Sequence, residues 1–301
     1  MGKRRTPAAD RRDLVWLRTS CNQPNCVLWL FEVIGTTQAL SAVSSALCPT
    51  TFAAARGEMR STMVPADDGT LLHVGVTGHG PDVVVLSGGP GCVHYLEDDA
   101  LAPRGMRAWY PEPRGVGRSK GGPHDLGRAV ADIEAVRRAQ GVDSWVVLGH
   151  SWGSDLAVRY ALDHPDRVRS VVGVAGHGLH KDRTWSQAYE SARHLEADIE
   201  IVWEPGVHAE LSASFAQWIH EPDLFRRLAD SSVVMTFIAP QHDIRPSWPL
   251  RQLAALIPHG RFEELSGVAH NLWSTDPHVW DDLVTRACAT PSAPAMTPPK
   301  S

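Results

Sequence analysis

Gly149-His150-Ser151-Trp152-Gly153 is the stretch whose reading decides the fold. It lies where a strand-like run, Trp145-Val146-Val147-Leu148, meets a helix-like run over residues 155–164. A G-x-S-x-G segment at such a junction reads as a nucleophile elbow, a turn so sharp that its central residue is held in a strained backbone conformation with its side chain exposed. The flanking glycines remove Cβ atoms that would collide with the neighbouring strand and helix. Ser151 Oγ then stands at the head of a helix, and the backbone N–H of Trp152 faces the same space. Short Gly/Ser segments also arise by chance, and a plain strand-to-helix turn would carry the same letters. The rest of the chain must supply the partners.

The first partner lies upstream. Asp82-Val83-Val84-Val85-Leu86 is a continuous apolar run, the pattern of a strand buried on both faces. It runs into Ser87-Gly88-Gly89-Pro90-Gly91, where three glycines and a proline in five residues can neither continue a strand nor begin an ordinary helix. Such a loop exposes backbone N–H groups and lets a ligand approach closely. With an elbow downstream, the two oxyanion donors are expected from the residue after the nucleophile and from this loop. Trp152 and Gly89 are the candidates. A tight surface turn would explain the glycines but not their place directly after a buried strand.

The remaining partners should follow in the order acid, then histidine. A strand-like run over residues 233–238 leads to Asp243, and another over 261–265 leads to His270. Both lie just past the carboxyl end of a predicted strand, where open α/β sheets bind ligands. A serine hydroxyl is a poor nucleophile and needs a base. His270 would take the Ser151 proton and return it to the leaving group, while Asp243 would hold the imidazole tautomer and stabilise the imidazolium. With 15 histidines in the chain, a lone histidine carries little weight. His242 is the main competitor, but it adjoins Asp243 and would set base and acid side by side in sequence. His150 should point away from a nucleophile at the next position. Asp163, Asp166, Asp276 and Asp281 read as helix-end or solvated positions.

With these residues in place, the chain over 64–288, about three quarters of its length, resembles an α/β-hydrolase of the proline iminopeptidase-like branch. Gly88-Gly89-Pro90-Gly91 resembles that branch's oxyanion loop, and Gly149 to Ser154 its elbow, with tryptophan after the serine. Arg114-Gly115-Val116-Gly117-Arg118-Ser119 resembles its R-G-x-G-x-S loop, which ties strands together near the site. Two positions depart from the pattern. Ser87 stands where the branch usually has His, and Glu112-Pro113 where Asp-Gln usually precedes Arg-Gly. Neither touches the proposed triad, and both bear on the substrate. The resemblance implies an aminopeptidase that removes an N-terminal proline. A carboxylesterase, lactonase or amidase uses the same machinery, as would a slow-turnover receptor or binding protein that keeps the triad. Haloalkane dehalogenases and epoxide hydrolases of this fold use Asp where Ser151 stands.

The coarse order fits a mostly parallel sheet with helices on both faces. Strands are predicted over 71–76, 83–86, 106–110, 145–149 and 168–174, and helices over 126–140, 154–164, 250–257 and 278–288. The division expected is a leader over 1–58, core over 59–176 and 230–288, a helical cap inserted over 177–229 and a disordered tail over 289–301. The insertion has helix-like stretches at 184–195 and 211–218, and its Trp185, Trp203 and Trp218 either contact substrate or pack the cap onto the core. An aminopeptidase must also hold a free ammonium, which needs carboxylate partners once desolvated. Glu204 and Glu221 are the candidates among the acidic residues of the insertion, each preceding a proline near an aromatic residue.

The leader fits this pattern poorly. Lys3-Arg4-Arg5 and the apolar residues 27–47 invite a signal-peptide or membrane reading, but Glu32 and Gln38 interrupt the run and its charges lie far from its core. A non-native or disordered leader is the preferred reading, with Met59 and Met63 as start sites because strand patterning begins after Met63. A net charge of −5 with both signs mixed offers no basic surface for nucleic acid. The five cysteines have no zinc or disulfide spacing, which favours a reducing cytoplasm. Cys21, Cys26 and Cys48 fall in the leader, and Cys92 is either a site-lining residue or a small buried filler. None of this chemistry needs a metal or an organic cofactor, and the partner implied is a small molecule or short peptide.

Overall fold

The computed structural model describes residues 57–179 and 183–289, with Arg183 described by its backbone alone. The expected leader up to residue 56, with Cys21, Cys26 and Cys48, and the tail beyond 289 lie outside the described residues. The strands are β1 (Arg60–Pro65), β2 (Leu71–Gly78), β3 (Asp82–Leu86), β4 (Arg107–Pro111), β5 (Trp145–His150), β6 (Val168–Val174), β7 (Met235–Pro240) and β8 (Gly260–Leu265). The helices are α1 (Leu126–Ala139), α2 (Trp152–Asp163), α3 (Arg183–Ala192), α4 (Pro205–Trp218), α5 (Leu224–Ala229), α6 (Trp248–Leu256), α7 (Leu272–Thr275) and α8 (Pro277–Cys288).

The eight strands form one sheet in the order β1-β2-β4-β3-β5-β6-β7-β8. β2 runs antiparallel to β1 and β4, and every pairing from β4 through β8 is parallel. The central strands are continuous apolar runs because both faces are covered. Alternation splits each run between two cores. Val84, Leu86, Val147 and Val171 join residues of α1, α2 and α6, while Val83, Val85, Val146, Leu148 and Val172 join Trp280, Leu283 and Val284 of α8. Among the described residues no helix is long and apolar enough to cross a membrane.

Several element bounds differ from the sequence reading, each for a local reason. β1 is absent from that reading, which placed the start of the pattern after Met63. Four of the first five residues of Arg60–Pro65 are exposed edge positions, so the strand has no apolar alternation to detect, yet Met63 pairs with His73 in the ladder. α2 begins at Trp152, directly after the serine, rather than at residue 154 or 155. α4 starts six residues before the predicted 211, with Pro205 in its first turn, where the missing N–H costs nothing. α5 and α7 are short and carry too few turns to show a period. Asp281 is buried and bonds Arg104 Nη1 at 2.6 Å, so it is not a solvated position.

Candidate active site

Strand order brings the candidate residues together. β3 and β5 are adjacent and parallel, with Leu86 in register with Gly149, so the glycine-rich turn and the elbow leave the sheet side by side. β7 and β8 pair Pro240 with Leu265, and the loops beyond them are tied by Gln241 N–H to Leu265 O and His242 N–H to Val268 O, both at 2.9 Å. Ser151, Asp243 and His270 therefore rise from one edge of the sheet, the carboxyl edge, where α/β folds place ligands.

The elbow is as tight as its sequence implies. Ser151 has φ 55° and ψ −128°, a region that side chains rarely adopt and that persists only where surrounding structure enforces it. Enforcement comes from its N–H bonding Val174 O at 2.8 Å and from backbone packed against both flanking glycines. A Cβ on Gly149 would meet Gly153 O at 2.2 Å, and one on Gly153 would meet Leu86 O at 2.3 Å. Ser151 has no side-chain bond to the helix it precedes, which leaves Oγ free for another partner.

That partner is His270, whose Nε2 lies 3.1 Å from Ser151 Oγ, while its Nδ1 lies 2.6 Å from Asp243 Oδ2. All three side chains are buried or nearly so. Burial pushes the Asp243 carboxyl up, but the charge and hydrogen bond of His270 and the Arg245 guanidinium outweigh it and hold the group down at about 2. An Asp243 that stays ionised fixes Nδ1 of His270 as the donor and leaves Nε2 to accept from Ser151.

The glycine-rich turn is held against the serine by residues the sequence reading did not find. Gly88 N–H donates to Tyr95 Oη at 2.8 Å, and Tyr95 O–H donates to His150 Nδ1 at 2.7 Å. His150 Nε2–H in turn donates to His270 O at 2.9 Å. One chain of bonds thus runs from the turn, through the elbow histidine, to the backbone of His270. Trp273 stacks on the Tyr95 ring at 4.9 Å. Burial, then the charge of His270, pushes His150 down to about 3, so it stays neutral and its two nitrogens keep distinct roles. The signal was available: a histidine on a strand otherwise made of buried apolar residues must find polar partners. Among the described residues, Gly89 and Trp152 have no backbone acceptor for their N–H groups, whereas Gly88 spends its own on Tyr95.

The residues between β6 and β7 reach this turn. Glu204 N–H donates to Gly91 O at 2.8 Å, Val93 N–H to Val202 O at 3.0 Å, and His208 Nδ1 to Pro90 O at 2.9 Å. Glu204 therefore has its backbone at the turn and an exposed side chain. Glu221 is elsewhere. It faces Arg159 at 3.6 Å and Arg227 at 3.9 Å, towards the last turn of α2, the end opposite Ser151. The structure thus corrects the expectation that Glu221 stands near the cleft. Trp185 and Trp218 are buried, and Trp203 is 49% exposed, edge-on to His208. Cys92 is half-buried beside Gly89, and burial pushes its thiol up to about 11, far from a reactive thiolate.

The two departures from the resembled pattern are accommodated locally. Glu112 accepts from Arg118 N–H at 2.6 Å and Nε at 3.0 Å, and Ser119 O–H donates to Glu112 O at 2.8 Å. Arg114 of the same loop bonds Asp132 of α1 and Asp68 before β2, tying edge strands to the core. Ser87 walls a cavity behind the turn together with Trp152, Leu156 and Leu211, a cavity that does not include Ser151.

The chain is similar to several known proteins in sequence and in fold. Residues 81–197 match a family described as the alpha/beta hydrolase fold. A proline iminopeptidase of Xylella fastidiosa is 33% identical over 189 residues, covering 54% of this chain and 56% of that protein. An epoxide hydrolase of Caballeronia sordidicola is 34% identical over 117 residues, covering 36% of this chain and 35% of that protein. The chain thus spans about half the length of the first relative and about a third of the second. The crystal structure of a proline iminopeptidase from Mycobacterium smegmatis superimposes with a TM-score of 0.58 at 20% identity, covering 76% of this chain and 97% of that one. With its mostly parallel sheet, the match over residues 81–197 and these relatives, the chain has the α/β-hydrolase fold and resembles, within it, the proline iminopeptidase-like branch.

Proposed function

We propose that the protein is a serine hydrolase acting through an acyl-enzyme, most simply an aminopeptidase like the proline iminopeptidases it resembles. The observation that carries this reading is the continuous contact of Ser151 Oγ, His270 and Asp243, at 3.1 and 2.6 Å, on a strained elbow. His270 Nε2 takes the hydroxyl proton as Oγ bonds to the substrate carbonyl carbon. The carbonyl oxygen becomes an oxyanion facing the free N–H groups of Gly89 and Trp152, donors fixed before the charge develops. Collapse breaks the scissile bond, and the imidazolium gives its proton to the departing amine or alcohol. Water, deprotonated by the same histidine, then releases the acid and restores Ser151. Ser151 at the nucleophile position argues against epoxide hydrolysis, which in this fold uses an aspartate there.

A second reading has its own support. With Glu221 occupied by arginines, Glu204 is the one candidate carboxylate left near the turn for a substrate ammonium, and its side chain is exposed. A carboxylesterase, lactonase or amidase working on a small acyl substrate needs no such carboxylate. Three substrates separate the readings: a proline amide with a free amine, its N-acetyl form and a small neutral acyl ester. The aminopeptidase reading expects the free amine to be preferred and Glu204→Gln to erase that preference while sparing the ester. Equal cleavage of both amides, or turnover of the ester alone, rejects it in favour of the esterase. Turnover no faster than that of Ser151→Ala on all three would leave a binding protein.

A further inference from the structure

Arg245 lies two residues past the triad acid and is absent from the chemistry above. Its Nη1 donates to Asp243 Oδ1 at 3.2 Å and to Glu196 Oε1 at 2.6 Å, and its backbone N–H donates to Asp243 Oδ1 at 2.9 Å. The guanidinium lies over the Tyr189 ring of α3, 5.1 Å from its centroid. Only 12% of the Arg245 side chain and 22% of the Glu196 side chain is exposed. Asp243 therefore faces imidazole with one carboxylate oxygen and guanidinium with the other. Glu196 and Tyr189 both come from the segment between β6 and β7. That segment meets the triad again at a small cavity walled by Leu195, Glu196, His242, Ile244, His270 and Asn271.

We propose that Arg245 and Glu196 are paired positioning residues that balance the charge on the far side of Asp243 and tie the triad acid to the segment between β6 and β7. The proposal rests on the serine hydrolase reading. When His270 takes the Ser151 proton it becomes a cation, and Asp243 stabilises that cation. A second cation on Asp243 opposes it. Glu196 cancels that opposition, so Asp243, Arg245 and Glu196 together act on His270 as a single negative charge. Burial disfavours the guanidinium charge, but Asp243 and Glu196 more than offset it. Among the described residues, His150 and Tyr95 also feel the charge of Arg245. His150 of β5 packs its ring 5.1 Å from that of His270 and is held neutral, Tyr95 lies behind His150, and His242 is exposed. Glu196 thus reaches the triad through charge, by way of Arg245 and Asp243.

The test is the pH dependence of Ser151 labelling by a fluorophosphonate, measured on the full chain in four forms. Removing one unit charge near His270 should move the acid limb by about 0.5–1 pH unit in partly screened surroundings. Glu196→Gln should move it to lower pH, because net positive charge next to Asp243 makes His270 harder to protonate. Arg245→Gln should move it to higher pH, because two carboxylates then face the imidazole. The double variant should return to within about 0.3 unit of the parent, since the opposing charges are removed together. A packing role predicts slower labelling in each variant but no opposed shifts and no restoration. If Arg245→Gln does not fold, Glu196→Gln still decides, with Arg245→Lys expected to hold the parent midpoint by keeping the charge. An acid limb with one midpoint in every variant overturns the proposal and leaves the triad intact. A parent chain that is not labelled at Ser151, or is labelled without an acid limb, overturns the serine hydrolase reading and this proposal with it.

Discussion

At the scale of the residue, Ser151 and His150 turn to opposite partners from one short motif. Ser151 holds a left-handed backbone so that Oγ can meet His270, while His150 turns to the other side and bonds the loop that carries His270. The meeting of Ser151, Asp243 and His270 was legible because each lies past the carboxyl end of a strand in the order the elbow leads one to expect. Tyr95 and Arg245 were not. Their roles depend on which loops lie side by side, and nothing at their own positions announces it. His150 makes stability pH-dependent with a definite sign. Its folded value is held at about 3 against an ordinary 6.5. The unfolded chain therefore binds the proton first as pH falls from 6.5, and stability is lost down to about 3. Above 6.5 the neutral ring is present in both states and contributes nothing to the slope. Urea unfolding should show a midpoint that drops between pH 7 and pH 4, with a shallower drop in His150→Gln. An equal drop in both would place the acid sensitivity elsewhere.

At the scale of the element, α2 has two ends with different work. Its first turn carries Trp152 and the elbow. Its last turn is clamped by Arg159 to Asp163 at 2.7 Å and by Arg227 of α5 to Asp163, with Glu221 facing both arginines. A glutamate before proline near Trp218 suggests a fixed position for Glu221 by the cleft. The position is fixed, but against the far end of α2, with the Trp218 ring buried under Arg159. The segment between β6 and β7 was legible as helical but not in its bounds or docking, because short helices lean on partners that sequence periodicity does not show. Glu221 is 40% exposed, and its arginine contacts are long. Glu221→Gln should therefore cost less than about 1 kcal/mol in thermal or urea unfolding. It should also leave kcat/KM for free and acetylated proline amides in the parent ratio. Loss of the free-amine preference would return Glu221 to the site.

At the scale of the whole molecule, the parallel centre of the sheet and β2 were readable as strands, and the outermost antiparallel strand, β1, was not. β3, β5 and β6 are buried on both faces and show as apolar runs, whereas β1 is an exposed edge strand whose residues say little by themselves. Met59 precedes β1, while Met63 lies inside it, paired with His73. A chain starting at Met59 should unfold cooperatively and label as the full chain does. A chain starting at Met63 would lose half of β1 and expose the edge of β2, and should have a lower midpoint and a tendency to associate. If both shortened chains fail to fold, the residues before Met59 are structural. The central claim is that this sheet exists to present one serine to one histidine. Site-mapped labelling with a fluorophosphonate, set beside turnover of an activated ester, tests it most directly. The account predicts modification of Ser151 alone, none in Ser151→Ala, and a fall in kcat of about 10⁴–10⁶ in that variant, with the remainder from binding and the oxyanion donors. Undiminished labelling or turnover in Ser151→Ala would contradict it.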